Sequence, residues 1–98
     1  MALRLIWSPA ARQDLRDLQT YIADYNPIAA RQFIRTILRT VEQLPDFPES
    51  GRIVPEFQDP AIRELIKRPC RVVYRIQRDR SEVEIARVWH ASRGVPEI

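Results

Sequence analysis

Two pairs of residues, Ser8-Pro9 and Asn26-Pro27, constrain the fold of this chain more than any other feature of its sequence. Serine and asparagine are preferred at the N-cap of a helix, and proline is tolerated at the first helical position. Apolar residues follow each pair at alternating spacings of 4 and 3, which places them on one stripe of an amphipathic helix. The first stripe comprises Ala11, Leu15, Leu18, Ile22 and Tyr25, and the second comprises Ala30, Ile34, Ile37, Val41 and Leu44.

The connection between these helices is very short, so the two helices are predicted to form a hairpin. The first is predicted to end near Tyr25, and Pro45 and Pro48 prevent the second from continuing. Before the hairpin, residues 3–7 alternate between apolar and other side chains, which predicts a short strand with one apolar face.

Three β-prone segments follow the hairpin, at Ile62–Lys67, Arg71–Gln77 and Val83–His90. A basic turn at residues 78–81 connects the last two, which favours an antiparallel meander. Ile53-Val54 is either a brief strand or part of a loop. Val88 is out of phase with Val83 and Ile85, which indicates a bulge or a change of burial.

The predicted order of elements is therefore β-α-α-β-β-β. Since an isolated meander would leave an apolar face exposed, the helical hairpin is expected to cover one face of the sheet. The fold class is α+β, with a small, mainly antiparallel sheet whose other face carries the basic residues. Residues 1–98 are expected to form a single domain.

Composition excludes several kinds of site. Cys70 is the only cysteine and His90 the only histidine, so neither an intramolecular disulfide nor a Cys- or His-rich metal site is expected. No apolar run is long enough to span a membrane or to form the core of a signal peptide. A cytoplasmic protein without a cofactor or a metal is the expectation.

Positive charge is concentrated in the second half of the chain. The net charge is +3, and Arg63 to Arg80 alone contain seven basic residues against two acidic ones. Such a segment attracts polyanions or acidic protein segments. Nearly all of the basic residues are arginine, whose planar guanidinium suits bidentate contacts with phosphate or carboxylate.

Several motifs occur in a characteristic order. They are Trp7-Ser8-Pro9-x-Ala11-x-x-Asp14-Leu15, Asn26-Pro27-x-Ala29-Ala30, Gly51-Arg52-x-Val54-Pro55-Glu56, Arg71-Val72-Val73-Tyr74-Arg75 and Val83-x-Ile85-x-x-Val88-x-His90. Nearly end to end, this series resembles the RelE/ParE superfamily of toxins from type II toxin–antitoxin systems. The resemblance implies a toxin held inactive by a cognate antitoxin, whose disordered tail wraps the toxin in a higher hetero-oligomer, with no membrane partner.

The superfamily has two kinds of target. ParE-like members inhibit DNA gyrase by binding, and RelE-like members cleave mRNA on the ribosome. For the second activity, Arg71, His90, Glu64 and Arg52 are the candidate catalytic residues. RelE-like toxins commonly place a tyrosine after this histidine and several lysines on the sheet, whereas this chain has Ala91 and only Lys67. The sequence therefore favours ParE-like inhibition of gyrase without a catalytic residue, with a ribosome-dependent endoribonuclease as the alternative.

The residues predicted to bind the target or the antitoxin are Arg63, Lys67, Arg71, Arg75, Arg87, Trp89 and His90. Four of them also have a structural interpretation. Arg71 and Arg75 project to one face of their strand and could form ion pairs with Glu82 or Glu84 across the hairpin. His90 is more simply a structural or interface residue, and Trp89 either packs or anchors a partner. Tyr21 and Tyr25 are expected at the edge of the core, and Cys70 is expected to be a small buried apolar residue.

Overall fold

The computed structural model describes residues 2–98 and contains two helices and five strands. They are β1 (Arg4–Trp7), α1 (Pro9–Ala23), α2 (Pro27–Val41), β2 (Arg52–Ile53), β3 (Ile62–Lys67), β4 (Cys70–Gln77) and β5 (Glu82–His90). The strand order is β1-β5-β4-β3-β2, with β1 parallel to β5 and every other pair antiparallel. The predicted α+β class and meander are confirmed. Of the pair Ile53-Val54, which the sequence left open, Ile53 belongs to the short edge strand β2 and Val54 follows it.

Both predicted caps begin their helices. The Ser8 hydroxyl accepts the N–H of Ala11 at 3.0 Å, and the Asn26 side chain accepts the N–H groups of Ile28 and Ala29 at 3.1 Å each. These bonds satisfy backbone donors that have no partner within the helix. Each proline follows its cap directly, as predicted.

The apolar stripe of α1 is shorter than predicted. The helix ends at Ala23, so Tyr25 lies in the turn and is 78% exposed. Tyr21 is 63% exposed, and its ring meets that of Tyr25 edge-on at 5.5 Å. The expectation that both tyrosines lie at the edge of the core was wrong. The spacing of 3 and 4 continued past the point at which the backbone leaves the helix.

The core lies between the helical hairpin and one face of the sheet. Its buried residues are Ala11, Ile37, Val41, Leu44, Cys70, Val72, Tyr74, Ile76, Val83, Ile85 and Val88. Tyr74 pairs with Ile85 and Val73 pairs with Arg87, so the register skips Ala86. This bulge returns Val88 to the helix-covered face, because one extra residue reverses the alternation of side chains.

The start of α1 protects an edge of the sheet. β1 ends opposite Ile85, and the rest of β5 would otherwise have no neighbour on that side. The Ser8 hydroxyl donates to the carbonyl of Ala86 at 2.8 Å, and the Asp14 carboxylate accepts the N–H of Val88 at 2.9 Å. Backbone groups that could pair with another chain are thereby satisfied.

A close backbone contact positions the loop before β2. The buried Tyr74 hydroxyl donates to the carbonyl of Pro48 at 2.6 Å and accepts the N–H of Gly51 at 2.9 Å. A Cβ atom at Gly51 would lie 2.6 Å from the carbonyl oxygen of Glu64 and from the Tyr74 hydroxyl. Only glycine fits this approach. The contact fixes the position at which Arg52 enters the sheet.

None of the helices in residues 2–98 is long and apolar enough to cross a membrane.

Candidate functional site

The face of the sheet opposite the helices, here called the open face, carries most of the predicted site residues. Register places Arg71 opposite Trp89, Arg75 opposite Glu84, and Glu64 opposite both Arg52 and Val73. Directly opposed residues share a face. Four strands thus bring together side chains that are far apart in the sequence.

The centre of the open face is a group of two arginines and two glutamates, here called the charge cluster: Arg52, Glu56, Glu64 and Arg71. The Glu64 side chain is fully buried and accepts the Nε–H of Arg52 at 2.7 Å and the Nε–H of Arg71 at 2.5 Å. The Nη atoms of Arg71 donate to the two carboxylate oxygens of Glu56 at 2.8 and 2.7 Å. The cluster is therefore neutral in total, and all three nitrogens of Arg71 are engaged.

The charges in this cluster are held firmly. Hydrogen bonds from Arg71 lower the pKa of Glu56 to about 2. Hydrogen bonds to Glu56 and then to Glu64 raise the pKa of Arg71 above its ordinary value. Because both oxygens of Glu64 are used and its side chain has no exposed surface, a substrate hydroxyl does not reach it unless an arginine moves. Glu56 belongs to the charge cluster but was not among the site residues predicted from the sequence.

A groove of about 580 Å³ borders the charge cluster at the end of the sheet. Arg52, Arg71 and His90, three of the four candidate catalytic residues, line it together with Ala91. The exposed His90 ring accepts the N–H of Ser92 at Nδ1, at 3.1 Å. Because Nδ1 accepts in this bond, the neutral ring carries its proton on Nε2.

Trp89 is buried by the segment that follows it. The indole is 2% exposed, and its Nε1–H donates to the carbonyl of Gly94 at 3.2 Å. The guanidinium groups of Arg93 and Arg87 lie 3.8 and 4.8 Å from the ring centre. Such contacts stabilise the packing of a cation on an aromatic face. Of the two interpretations of Trp89, the structure agrees with packing.

Arg87 joins the sheet to α1. Its Nε and Nη2 atoms donate to the Asp14 carboxylate at 2.8 and 2.9 Å, and Nη1 donates to the carbonyl of Glu97. The hydrogen bonds to Asp14 raise the pKa of Arg87. The bidentate geometry fixes the guanidinium in one orientation. Asp14 belongs to the first sequence motif, but nothing in its spacing identified Arg87 as its partner.

Three predicted binding residues lie away from the open face, and one of them is His90, which pairs with the core residue Cys70. Register places Arg63 opposite Tyr74 and Lys67 opposite Cys70, on the helix-covered side. Arg63 donates to the carbonyls of Pro60 at 2.9 Å and Gly51 at 3.0 Å, so it holds the loop around β2. The expectation that the basic residues share one face was therefore wrong for Arg63 and Lys67.

The ion pairs expected across the hairpin form at one of the two arginines. Arg75 donates to Glu84 at 2.9 Å, as predicted, whereas Arg71 binds Glu56 and Glu64 instead of Glu82 or Glu84. Arg71 lies opposite Trp89, whereas the acidic residues Glu84 and Glu82 lie opposite Arg75 and Gln77. Cys70 is buried as expected, and burial raises the pKa of its thiol.

A family of known proteins matches nearly the whole chain. The family described as ParE toxin of type II toxin-antitoxin system, parDE, matches residues 5–95. Toxin RelE2 of Caulobacter vibrioides is 29% identical over 90 residues, covering 92% of this chain and 97% of that protein. The protein Y4kP of Sinorhizobium fredii is 33% identical over 97 residues, covering 97% of this chain and 95% of that protein.

Two solved structures share the fold. The chromosomal ParDE system of P. aeruginosa contains a chain that superposes with a TM-score of 0.73 at 24% identity, covering 91% of this chain and 96% of that one. The RelBE2 toxin–antitoxin complex of Mycobacterium tuberculosis gives a TM-score of 0.64 at 19% identity, covering 92% and 99%. At these identities the superpositions establish the architecture.

Proposed function

This chain belongs to the ParE toxin family of type II toxin–antitoxin systems, and from that premise we propose that it acts in the cytoplasm by binding and inhibiting DNA gyrase. The observation that carries the proposal is the engagement of Arg71 by Glu56 and Glu64. Because all three nitrogens of Arg71 donate to carboxylates, its guanidinium stabilises the fold and has no nitrogen left to bind a substrate phosphate.

The chemistry of RNA cleavage supports the same choice. Attack by a 2′-hydroxyl requires a base, cations that stabilise the negative charge of the transition state, and an acid for the leaving oxygen. In this chain the charge of Arg71 is neutralised by carboxylates, and the buried Glu64 is not accessible as a base. A phosphate would have to displace Glu56 from Arg71, breaking two charge-assisted hydrogen bonds of about 1.5–3 kcal/mol each. Binding without bond cleavage requires no such exchange.

The test is a supercoiling assay with purified gyrase, relaxed plasmid and the isolated toxin. We expect supercoiling to be lost at micromolar toxin, while an unrelated basic protein of similar size and charge leaves it intact. In cells, induction of the toxin should stop DNA synthesis before protein synthesis. Full supercoiling in the presence of excess folded toxin would contradict the proposal.

A second candidate is a ribosome-dependent mRNA endoribonuclease, which one observation favours. Arg52, Arg71 and the exposed His90 line the same groove. This activity predicts that protein synthesis stops first and that mRNA is cut during translation. His90→Ala should abolish that cleavage and leave stability unchanged, because the ring is exposed. Intact message in a translating extract would exclude it.

A cognate antitoxin is the proposed inhibitory partner. The two superposed structures come from toxin–antitoxin systems. The tip of the helical hairpin also exposes Tyr21, Tyr25 and Ile28 by 63%, 78% and 61%, and a disordered segment that folds on binding gains affinity from covering such groups. Co-expression with the antitoxin should restore growth and yield a hetero-oligomer by size-exclusion chromatography with light scattering. Unchanged toxicity and no complex would contradict this partner.

A further inference from the structure

Three arginines form a row along the exposed side of α2. Arg31, Arg35 and Arg39, here called the arginine row, are four residues apart and all exposed. Residues at this spacing are neighbours on one helix face, and the rise of about 1.5 Å per residue places them roughly 6 Å apart along the axis. Within residues 2–98, none of the three side chains forms a hydrogen bond or an ion pair with another side chain.

The row contrasts with the arginines on the open face of the sheet, which are neutralised. Arg71, Arg75 and Arg87 each contact at least one carboxylate. By contrast, α2 contains no acidic residue from Pro27 to Val41, and the first one, Glu42, follows at its end. Within residues 2–98, no acidic residue forms an ion pair with an arginine of the row. The arginine row is left as an uncompensated line of positive charge on a rigid helix.

We propose that the arginine row binds the phosphate backbone of duplex DNA. Guanidinium groups suit bidentate contacts with phosphate, and one strand of a duplex presents a charge about every 3.4 Å along its axis. The choice of duplex DNA rests on the proposed function, because duplex DNA is the substrate of gyrase. Since α2 and the open face lie on opposite sides of the sheet, the toxin can contact an enzyme with one side and DNA with the other.

An acidic protein segment is the competing occupant, because Ile28 and Leu38 of α2 are also exposed, by 61% and 39%. The salt dependence of the binding affinity distinguishes duplex DNA from an acidic protein segment. Each phosphate contact on a duplex contributes a slope of about −0.9 to the logarithm of affinity against the logarithm of salt concentration. Three contacts contribute about −2.7, which corresponds to roughly a 40-fold loss of affinity between 50 and 200 mM salt.

The experiment measures fluorescence anisotropy of a labelled 20-base-pair duplex with the isolated toxin at several salt concentrations. Glutamine at Arg31, Arg35 and Arg39 should weaken binding and reduce the magnitude of the salt slope by about 2.7. A matched variant with glutamine at Arg12, Arg16 and Arg80, which are also exposed and form no ion pair within residues 2–98, removes the same charge from other elements and should retain most of the slope. Lysine at the three row positions should also retain it, and circular dichroism establishes that each variant is folded.

Three outcomes would overturn the inference: equal losses in the row variant and the matched variant, tighter binding of single-stranded RNA than of the duplex, or displacement of the duplex by polyglutamate at equal charge concentration. The binding assay contains no gyrase, so the two proposals fail separately. A toxin that inhibits gyrase but binds DNA independently of the row refutes only the proposal that the arginine row binds DNA. A toxin that binds DNA through the row but leaves supercoiling intact refutes only the proposed function.

Discussion

Replacing Glu64 by glutamine is the sharpest test of the charge cluster. The carboxylate is fully buried and accepts one N–H from Arg71 and one from Arg52. Glutamine keeps the shape of the side chain but removes its charge and offers an amide N–H to a guanidinium. Arg71, only 10% exposed, would lose one of its two carboxylate partners.

The expected cost follows from burial. Removing one partner of a buried ion pair destabilises a protein by about 3–5 kcal/mol. Arg71 retains Glu56, and the Arg52 side chain is 58% exposed, so the lower end of that range applies. A loss of about 3 kcal/mol in a domain of this size lowers Tm by roughly 12–24 °C.

The assay is urea denaturation followed by circular dichroism, with Glu84→Gln as the matched control. Glu84 pairs with Arg75 at 2.9 Å, but these side chains are 24% and 34% exposed, so this variant should lose at most about 1 kcal/mol. Replacing both Glu64 and Arg71 by apolar residues, as Glu64→Leu with Arg71→Met, should recover much of the loss. If Glu64→Gln cost no more than the control, the cluster would not be the structural element that the burial indicates.

Three further predictions concern single contacts. Tyr74→Phe should destabilise the fold by about 1–3 kcal/mol in urea, because two buried backbone groups lose their partner, whereas Tyr25→Phe, at an exposed position, should have no effect. Asp14→Asn should cost about 2–3 kcal/mol, since the carboxylate accepts two bonds from a guanidinium and one from the backbone; Asp17→Asn, on the exposed side of α1, is its control. The pKa of Glu56 is lowered to about 2, so its contribution to stability is complete above pH 4.5 and is lost as the pH falls toward 2. Glu56→Gln should therefore lose less stability over that pH interval than the unmodified chain, and an identical pH profile would contradict the Glu56–Arg71 pairing.

Local signals in the sequence were sufficient to predict the two helices and the antiparallel meander. A cap followed by proline identifies a helix start without any tertiary information, and both starts were predicted correctly. The end of α1 was predicted less well, because apolar spacing continued to Tyr25 after the backbone had left the helix. Pairing of β1 with β5 joins residues nearly eighty positions apart, and no local pattern specifies such a contact.

For the candidate site too, the sequence identified individual residues but not the contacts between distant parts of the chain. Arg71 and Glu64 were identified from the motifs, but the sequence offered Glu82 and Glu84 as partners for Arg71 because they lie on the adjacent strand. Glu84 lies opposite Arg75 and Glu82 opposite Gln77, whereas Arg71 lies farther along β4 and faces Trp89. Glu56 then reaches Arg71 from a loop fifteen residues away in sequence. Neither the register of the strands nor the position of the loop follows from residue type alone, and the loop position determines whether Arg71 is neutralised by Glu56.

The distribution of charge in space differs for the same reason from its distribution along the chain. The sequence places the strongest positive charge at residues 63–80. In the fold, acidic residues from outside that segment reach it, as Glu56 reaches Arg71 and Glu49 reaches Arg78. The arginine row on α2, in a half of the chain with no net charge, has no such neighbours. Because long-range attraction depends on charges that remain uncompensated, a polyanion is steered toward α2. A ligand of the open face meets arginines that are already paired with carboxylates, so its binding depends more on shape and hydrogen-bond geometry than on long-range charge.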